Sequence, residues 1–197
     1  MVKFTAREIR DIIISMVVIS FVFAYIIARQ DLNSAIVIMP VTFVVVGLAF
    51  VLHEMAHKYM AIGYGYWAEY RMWVGGLLFA LVTAYFGFVF AAPGAVYIHG
   101  NYIKNSENGK ISIAGPLVNI ILVLIFLLCM PLFSKFGLEN VAILGATVNS
   151  FLAFFNLIPF SMLDGAKVFR WNPIIWIAAM GIAVILLAYT VFGIKII

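Results

Sequence analysis

The sequence predicts an all-α polytopic membrane protein, with five full transmembrane helices plus a membrane re-entrant or hairpin segment at about 66–98 that has some β-strand character. Three observations predict it. First, of 197 residues 66% are hydrophobic and only 10% charged, with a mean hydropathy of +1.16, whereas a soluble domain is about a quarter charged. Too little polar surface exists to cover a water-facing globule, so the bilayer must solvate most of the exterior. Second, apolar stretches fall at about 12–28, 36–60, 74–98, 111–133, 139–160 and 173–194, and about 20 apolar residues span a bilayer. Third, the stretch 74–98 is broken by Gly75-Gly76, Gly87 and Ala91-Ala92-Pro93-Gly94, a density of Gly and Pro that interrupts a helix.

The elements follow in order. Met1 to Asp11 is basic and Ile12 to Ala28 apolar. That apolar run is longer than a usual signal-peptide core and no small-x-small cleavage site precedes Arg29, so it reads as a retained first helix. The second stretch ends in His53, Glu54, His57 and Lys58, with Lys58 expected to snorkel out to water. Tyr66 to Trp73 alternates like a strand, and Ala95-Val96-Tyr97-Ile98 is short and rich in strand formers. The segment between them therefore reads as entering the membrane and returning, partly as extended chain. The remaining three stretches read as ordinary spans. Residues 1–197 form a single membrane-embedded domain, with no length left for a separate soluble one. The twelve Lys and Arg are scattered, which argues against nucleic-acid binding, and Cys129 alone supports neither a disulfide nor a cysteine metal site.

His53 and His57 lie four residues apart in a helical stretch, which places both imidazoles on one face. Two ring nitrogens can then reach one zinc ion, and Glu54 can take a proton from a water that zinc activates. Three ionisable groups at the end of an apolar run are costly in a bilayer, so a functional reading outweighs two interfacial histidines. From Ile36 to His57 the helix rises roughly 32 Å, about one hydrocarbon thickness.

A catalytic zinc takes three protein ligands and keeps an open position. The remaining candidates are His99, Glu8, Glu69, Glu107, Glu139, Asp11, Asp31 and Asp164. Asp164 stands out because Pro159 breaks the preceding helix and Gly165 allows a tight turn beside the carboxylate. Asn149 and Asn156 share a face of the fifth stretch and form a polar seam towards it. A loop Asp capping the last helix is the competing reading, and His99 is the rival ligand.

His53-Glu54-Met55-Ala56-His57, Ala114-Gly115-Pro116-Leu117-Val118-Asn119 and Asn156-Leu157-Ile158-Pro159, the last followed by Leu163-Asp164-Gly165, occur in the order seen in the site-2 protease family of intramembrane metalloproteases. The resemblance covers roughly residues 36–170. It implies His53, His57 and Asp164 as ligands of one zinc per chain, Glu54 as catalytic acid/base, and Asn156 as a group holding the substrate backbone or the oxyanion. It also implies that the helix bearing Gly115, Pro116 and Asn119 packs beside them. The sequence departs from many members around Asp164, where Ser161-Met162 stand in place of a Pro shortly before it and Ala166 in place of a second Gly. No regulatory domain of the PDZ or CBS kind fits in this length.

Pairing His53 and His57 with Asp164 requires the second and fifth stretches to run in the same direction, so 74–98 must return to its own side. Positive charge agrees. With 74–98 returning and the N-terminus inside, Lys3, Arg7, Arg10, Lys58, Arg71, Lys104, Lys110, Lys167 and Arg170 are cytoplasmic, nine of twelve, against seven for six full crossings. This arrangement groups Trp67, Trp73, Trp171 and Trp176 near one interface, puts the zinc site within the bilayer near the cytoplasmic side and the C-terminus outside. The expected activity is zinc-dependent hydrolysis of a peptide bond in or near the transmembrane segment of a membrane-protein substrate. The alternatives are a non-proteolytic membrane zinc-binding scaffold and a zinc hydrolase acting on another membrane-embedded substrate, such as a lipid amide. Oligomeric state is not encoded in any of these features.

Overall fold

The computed structural model describes residues 4–193 except 101 and 161, so Lys3, Lys195 and Ser161 lie outside the described residues. The elements run α1 (Ala6–Ile27), α2 (Leu32–Gly63), β1 (Trp67–Met72), α3 (Val74–Tyr85), β2 (Gly94–His99), α4 (Asn105–Lys135), α5 (Glu139–Leu157), α6 (Asp164–Trp171) and α7 (Pro173–Ala188). A π-helical turn at Tyr189–Gly193 continues α7. Five helices, α1, α2, α4, α5 and α7 with its extension, are long and apolar enough to cross a membrane.

Local chemistry sets the helix ends. Thr5 caps α1 by accepting from the Glu8 N–H at 3.1 Å, and Asp31 caps α2 by accepting from the Ser34 N–H at 2.7 Å. Asn172 accepts from the N–H groups of Ile174 and Ile175 at 3.0 and 3.1 Å, and Pro173 occupies the first position of α7, where its missing N–H costs nothing.

Small residues are buried at the helix contacts and many large apolar ones are exposed. Ala35, Ala49, Ala80, Ala142, Ala146, Ala153 and Ala183 are buried between helices, while Val37, Leu128 and Ile174 are about four-fifths exposed at 78%, 80% and 78%. Lipid tails are as apolar as Leu, so large side chains can face the bilayer at little cost and small residues let the helices pack closely.

Contacts along the chain fix the directions. Glu8 meets Lys58, and Met16 lies against Gly47, so α1 and α2 are antiparallel. Ile111 meets His57, and Asn119 meets Ala49, so α4 is antiparallel to α2. Asn119 also meets Asn149, and Phe126 lies against Gly145, so α5 is antiparallel to α4 and runs with α2. The second and fifth apolar stretches thus share a direction, and α4 is the single full crossing between them.

The segment 74–98 is a helix with an extended return. At twelve residues, α3 is about 18 Å long, well short of the hydrocarbon thickness. Its Ala80 and Ala84 pack against Val22, Tyr25 and Ile26 of α1. The chain then returns through 86–93 to β2, which pairs antiparallel with β1 from Trp67↔His99 to Met72↔Gly94. Both strands therefore lie at the end of the bundle where α2 finishes and α4 begins.

Lys58 does not snorkel: it is fully buried, with its Nζ 2.6 Å from each carboxylate oxygen of Glu8, itself fully buried, and 3.9 Å from the centre of the Phe4 ring. The partner that makes burial tolerable lies fifty positions away in sequence, and a paired, hydrogen-bonded charge can stay out of water where a lone one cannot.

Candidate metal centre

His53 and His57 project from the last third of α2 towards α4, and Asp164 from the first turn of α6 towards both. His57 Nε2 lies 3.0 Å from His53 Nε2 and 3.0 Å from Asp164 Oδ2, and His53 Nε2 lies 3.4 Å from the same oxygen. All three residues are buried, and among the described residues they form the one cluster of His, Cys, Asp or Glu close enough to hold a metal ion.

The remaining ring nitrogens settle the chemistry of this cluster. The amide nitrogen of Asn119 donates to Asn149 Oδ1 at 2.8 Å and to the Ala49 carbonyl at 3.4 Å, which turns its oxygen to His53 Nδ1 at 2.6 Å. His57 Nδ1 faces the Ile111 carbonyl at 2.8 Å. Both partners are acceptors, so in the neutral rings both Nδ1 atoms carry the proton and both Nε2 atoms present lone pairs. Two lone pairs and a carboxylate oxygen converging in a buried space repel one another unless a proton or a metal cation lies among them. A tetrahedral ion with bonds of about 2.0–2.1 Å places its ligand atoms roughly 3.3 Å apart, close to the three separations found. The donor set and its spacing fit zinc.

Two glycines make room for this arrangement. A Cβ on Gly115 of α4 would stand 2.6 Å from His53 Nε2 and collide with His57 Nε2. A Cβ on Gly165 would collide with the Leu157 carbonyl. The expected tight turn at Gly165 is not what the residue provides: it lies inside α6 with no left-handed φ. Its value is the close approach of α6 to the end of α5, which carries Asp164 up to the histidines.

Glu54 is buried, and its Oε2 has no hydrogen-bond partner among the described residues. It lines a cavity of about 260 Å³ together with His53, His57, Asp164, Asn156 and the chain from Ala91 to Ile98. Asn156 is half-buried there, and its amide nitrogen donates to the Leu152 carbonyl one turn back at 2.9 Å, leaving a second N–H and the oxygen. Asp164 Oδ1, the oxygen turned from the histidines, accepts from Lys167 Nζ at 3.3 Å.

The other candidate ligands are engaged elsewhere. His99 is exposed at the end of β2 opposite Trp67. Glu8 pairs with Lys58, Asp11 with Arg10 at 2.8 Å and Glu69 with Arg71. Glu107 accepts from the Tyr66 hydroxyl at 2.5 Å, which stabilises the phenol form and raises the Tyr66 pKa. Asp31 caps α2, and Glu139 accepts from Ser134 at 3.4 Å.

Sequence reasoning left Asn119 as a packing residue and passed over Lys167. An Asn inside an apolar span was the available signal for the first, and i, i+3 spacing from Asp164 for the second. Residues that orient a ligating imidazole usually contribute 10–100-fold in metal affinity. Asn119→Leu is therefore expected to weaken zinc binding by about that factor, measured by competition with a calibrated chelator. Unchanged affinity would show that Asn119 does not hold His53.

The chain is 40% identical over 185 residues to a protein of Methanocaldococcus jannaschii named as a putative zinc metalloprotease, an alignment covering 93% of each chain. It is 27% identical over 154 residues to a protein of Bacillus subtilis strain 168 with the same kind of name, covering 66% of this chain and 68% of that one. No family model and no solved structure matches. The length and identity of the first alignment place the chain in the family of zinc metalloproteases.

Proposed function

We propose that this protein is an intramembrane zinc endopeptidase of the site-2 protease type, which hydrolyses a peptide bond within or near the transmembrane segment of a membrane-protein substrate. The observation that carries the reading is the convergence of His53, His57 and Asp164 beside Glu54, whose Oε2 has no partner among the described residues, in a cavity between membrane-length helices. One zinc per chain is held by the first three. Zinc bound there supplies Lewis-acid polarisation of a carbonyl and lowers the pKa of water.

The protein's own groups do the rest. Glu54 accepts a proton from water as the water oxygen bonds to the scissile carbonyl carbon. It returns that proton to the amine nitrogen as the C–N bond breaks. An N–H of Asn156 donates to the carbonyl oxygen as negative charge develops on it. The burial of His53, Glu54, His57 and Asp164 limits the access of bulk water to the charges that form. A helical substrate hides its peptide bonds and must unwind first. The return chain from Ala91 to Ile98, which walls the cavity, offers an edge along which an unwound strand can pair.

Mass spectrometry of the products formed by purified protein in liposomes tests this reading. The new termini are expected inside or beside the apolar segment of a single-span substrate. Release of fatty acid from a lipid amide, with the protein substrate intact, would transfer the site to the other class of hydrolase. The N-terminus is cytoplasmic and the zinc site lies in the bilayer near that face in this reading. A reporter fused at the C-terminus is accordingly expected outside, and cytoplasmic reporter activity would contradict the orientation.

A further inference from the structure

We infer that Glu8 and Lys58 are positioning residues for the substrate: their buried pair anchors β1 from its outer edge, so that the sheet accepts another strand only along β2, beside the metal-site cavity. This rests on the protease reading above.

The alternation of the strand pair carries the inference. The Tyr70 N–H donates to Glu8 Oε1 at 2.9 Å, so at Tyr70 the backbone of β1 points away from β2. Tyr70 is paired with Val96, and an antiparallel pair that does not exchange hydrogen bonds has both residues pointing outward. The N–H and C=O of Val96, and of Ile98 two residues on, therefore lie on the open edge of β2. The bond from the Trp73 N–H to the Pro93 carbonyl at 2.8 Å falls where this alternation requires one. The sheet has two strands, and among the described residues no third one covers β2. Val96 and Ile98 line the same cavity as His53, His57 and Glu54.

The opposite edge is occupied. One Glu8 oxygen takes the Tyr70 N–H while both oxygens bind Lys58 Nζ at 2.6 Å. The Tyr70 side chain reinforces the anchor, with its hydroxyl donating to Ser15 Oγ of α1 at 2.9 Å and its ring edge-on to Phe50 of α2 at 5.5 Å. Lys58 directly follows His57, so the helical turn that presents a metal donor also holds the cation that fixes the sheet. The sheet is thereby tied to the helix that bears both histidines. An unwound substrate paired along that edge is presented to Glu54 only in discrete registers, since a one-residue slip turns every side chain to the other face.

The test compares the full-length protein with Glu8→Met/Lys58→Met, which removes both charges and the acceptor for Tyr70 but keeps side-chain volume. The substrate is a single-span helical protein in liposomes, and KM, kcat and zinc per chain are read together. KM is expected to rise at least tenfold, with kcat within threefold and zinc content unchanged. Glu8→Gln/Lys58→Met restores a carbonyl acceptor for the Tyr70 N–H without the ion pair, and should bring KM back to within threefold of the parent. A Glu8→Met/Lys58→Met protein with the parent KM overturns the inference, as does a loss confined to kcat that follows zinc. Should that variant not fold, Val96→Pro decides, because it removes an open-edge N–H and leaves the anchor intact. A raised KM supports the inference, and an unchanged one overturns it. Absence of any cleavage by the parent protein instead removes the protease reading itself.

Discussion

Glu54→Gln is expected to abolish peptide hydrolysis while the protein retains its zinc. The amide matches the carboxylate in size, so the packing of this buried side chain is preserved. It cannot accept a proton, however, and general acid–base catalysis by a positioned group contributes about 10²–10⁴ in rate. In the proposed role Glu54 both takes and returns the proton, so the loss should reach the upper part of that range. His53, His57 and Asp164 are untouched, and Glu54 Oε2 has no hydrogen bond whose loss would propagate. Paired assays of zinc per chain and of product formation on one preparation check the result. Cleavage surviving the substitution would sink the assigned role.

Gly115→Ala is expected to eliminate metal binding, and with it activity. The added methyl would lie 2.6 Å from His53 Nε2 and closer still to His57 Nε2, inside the space a zinc ion needs. Neither ring can retreat cheaply. Asn119 holds Nδ1 of one, and the Ile111 carbonyl holds Nδ1 of the other. Both holding groups sit on α4 within four residues of Gly115, so moving the helix moves them too. Zinc should fall from one equivalent to a small fraction. Gly181→Ala on α7, where a Cβ would meet nothing within 4 Å, is the matched control. It should keep full zinc and lose no stability, since Ala favours a helix over Gly by up to about 1 kcal/mol. Full zinc occupancy in Gly115→Ala would mean that the metal sits elsewhere.

What the sequence revealed depended on how local each interaction is. His53 and His57 were legible because one helix turn sets their geometry. Five spans were legible because length and apolarity decide them, and the broken stretch 74–98 because Gly and Pro punctuate it. The direction of α5 followed from requiring Asp164 to meet the histidines. The partners of those histidines were harder to read. A backbone carbonyl such as that of Ile111 leaves no trace in composition, and Asn119 resembles any polar residue tucked into a span. Lys58 was misread for the same reason: a lysine at the end of an apolar run reaches for water by default, and only the fold brings Glu8 to it. Gly165 was noticed but assigned the wrong physics, because turn and close approach both select glycine and only coordinates separate them.

The central claim is that zinc held by His53, His57 and Asp164 hydrolyses a peptide bond at membrane depth. The most direct test strips the purified protein with a chelator and titrates zinc back while following cleavage of a single-span substrate. Cleavage is predicted to disappear in the metal-free protein and to return in full at one zinc per chain, with product termini inside or beside the apolar segment. Undiminished cleavage by the metal-free protein would contradict the account.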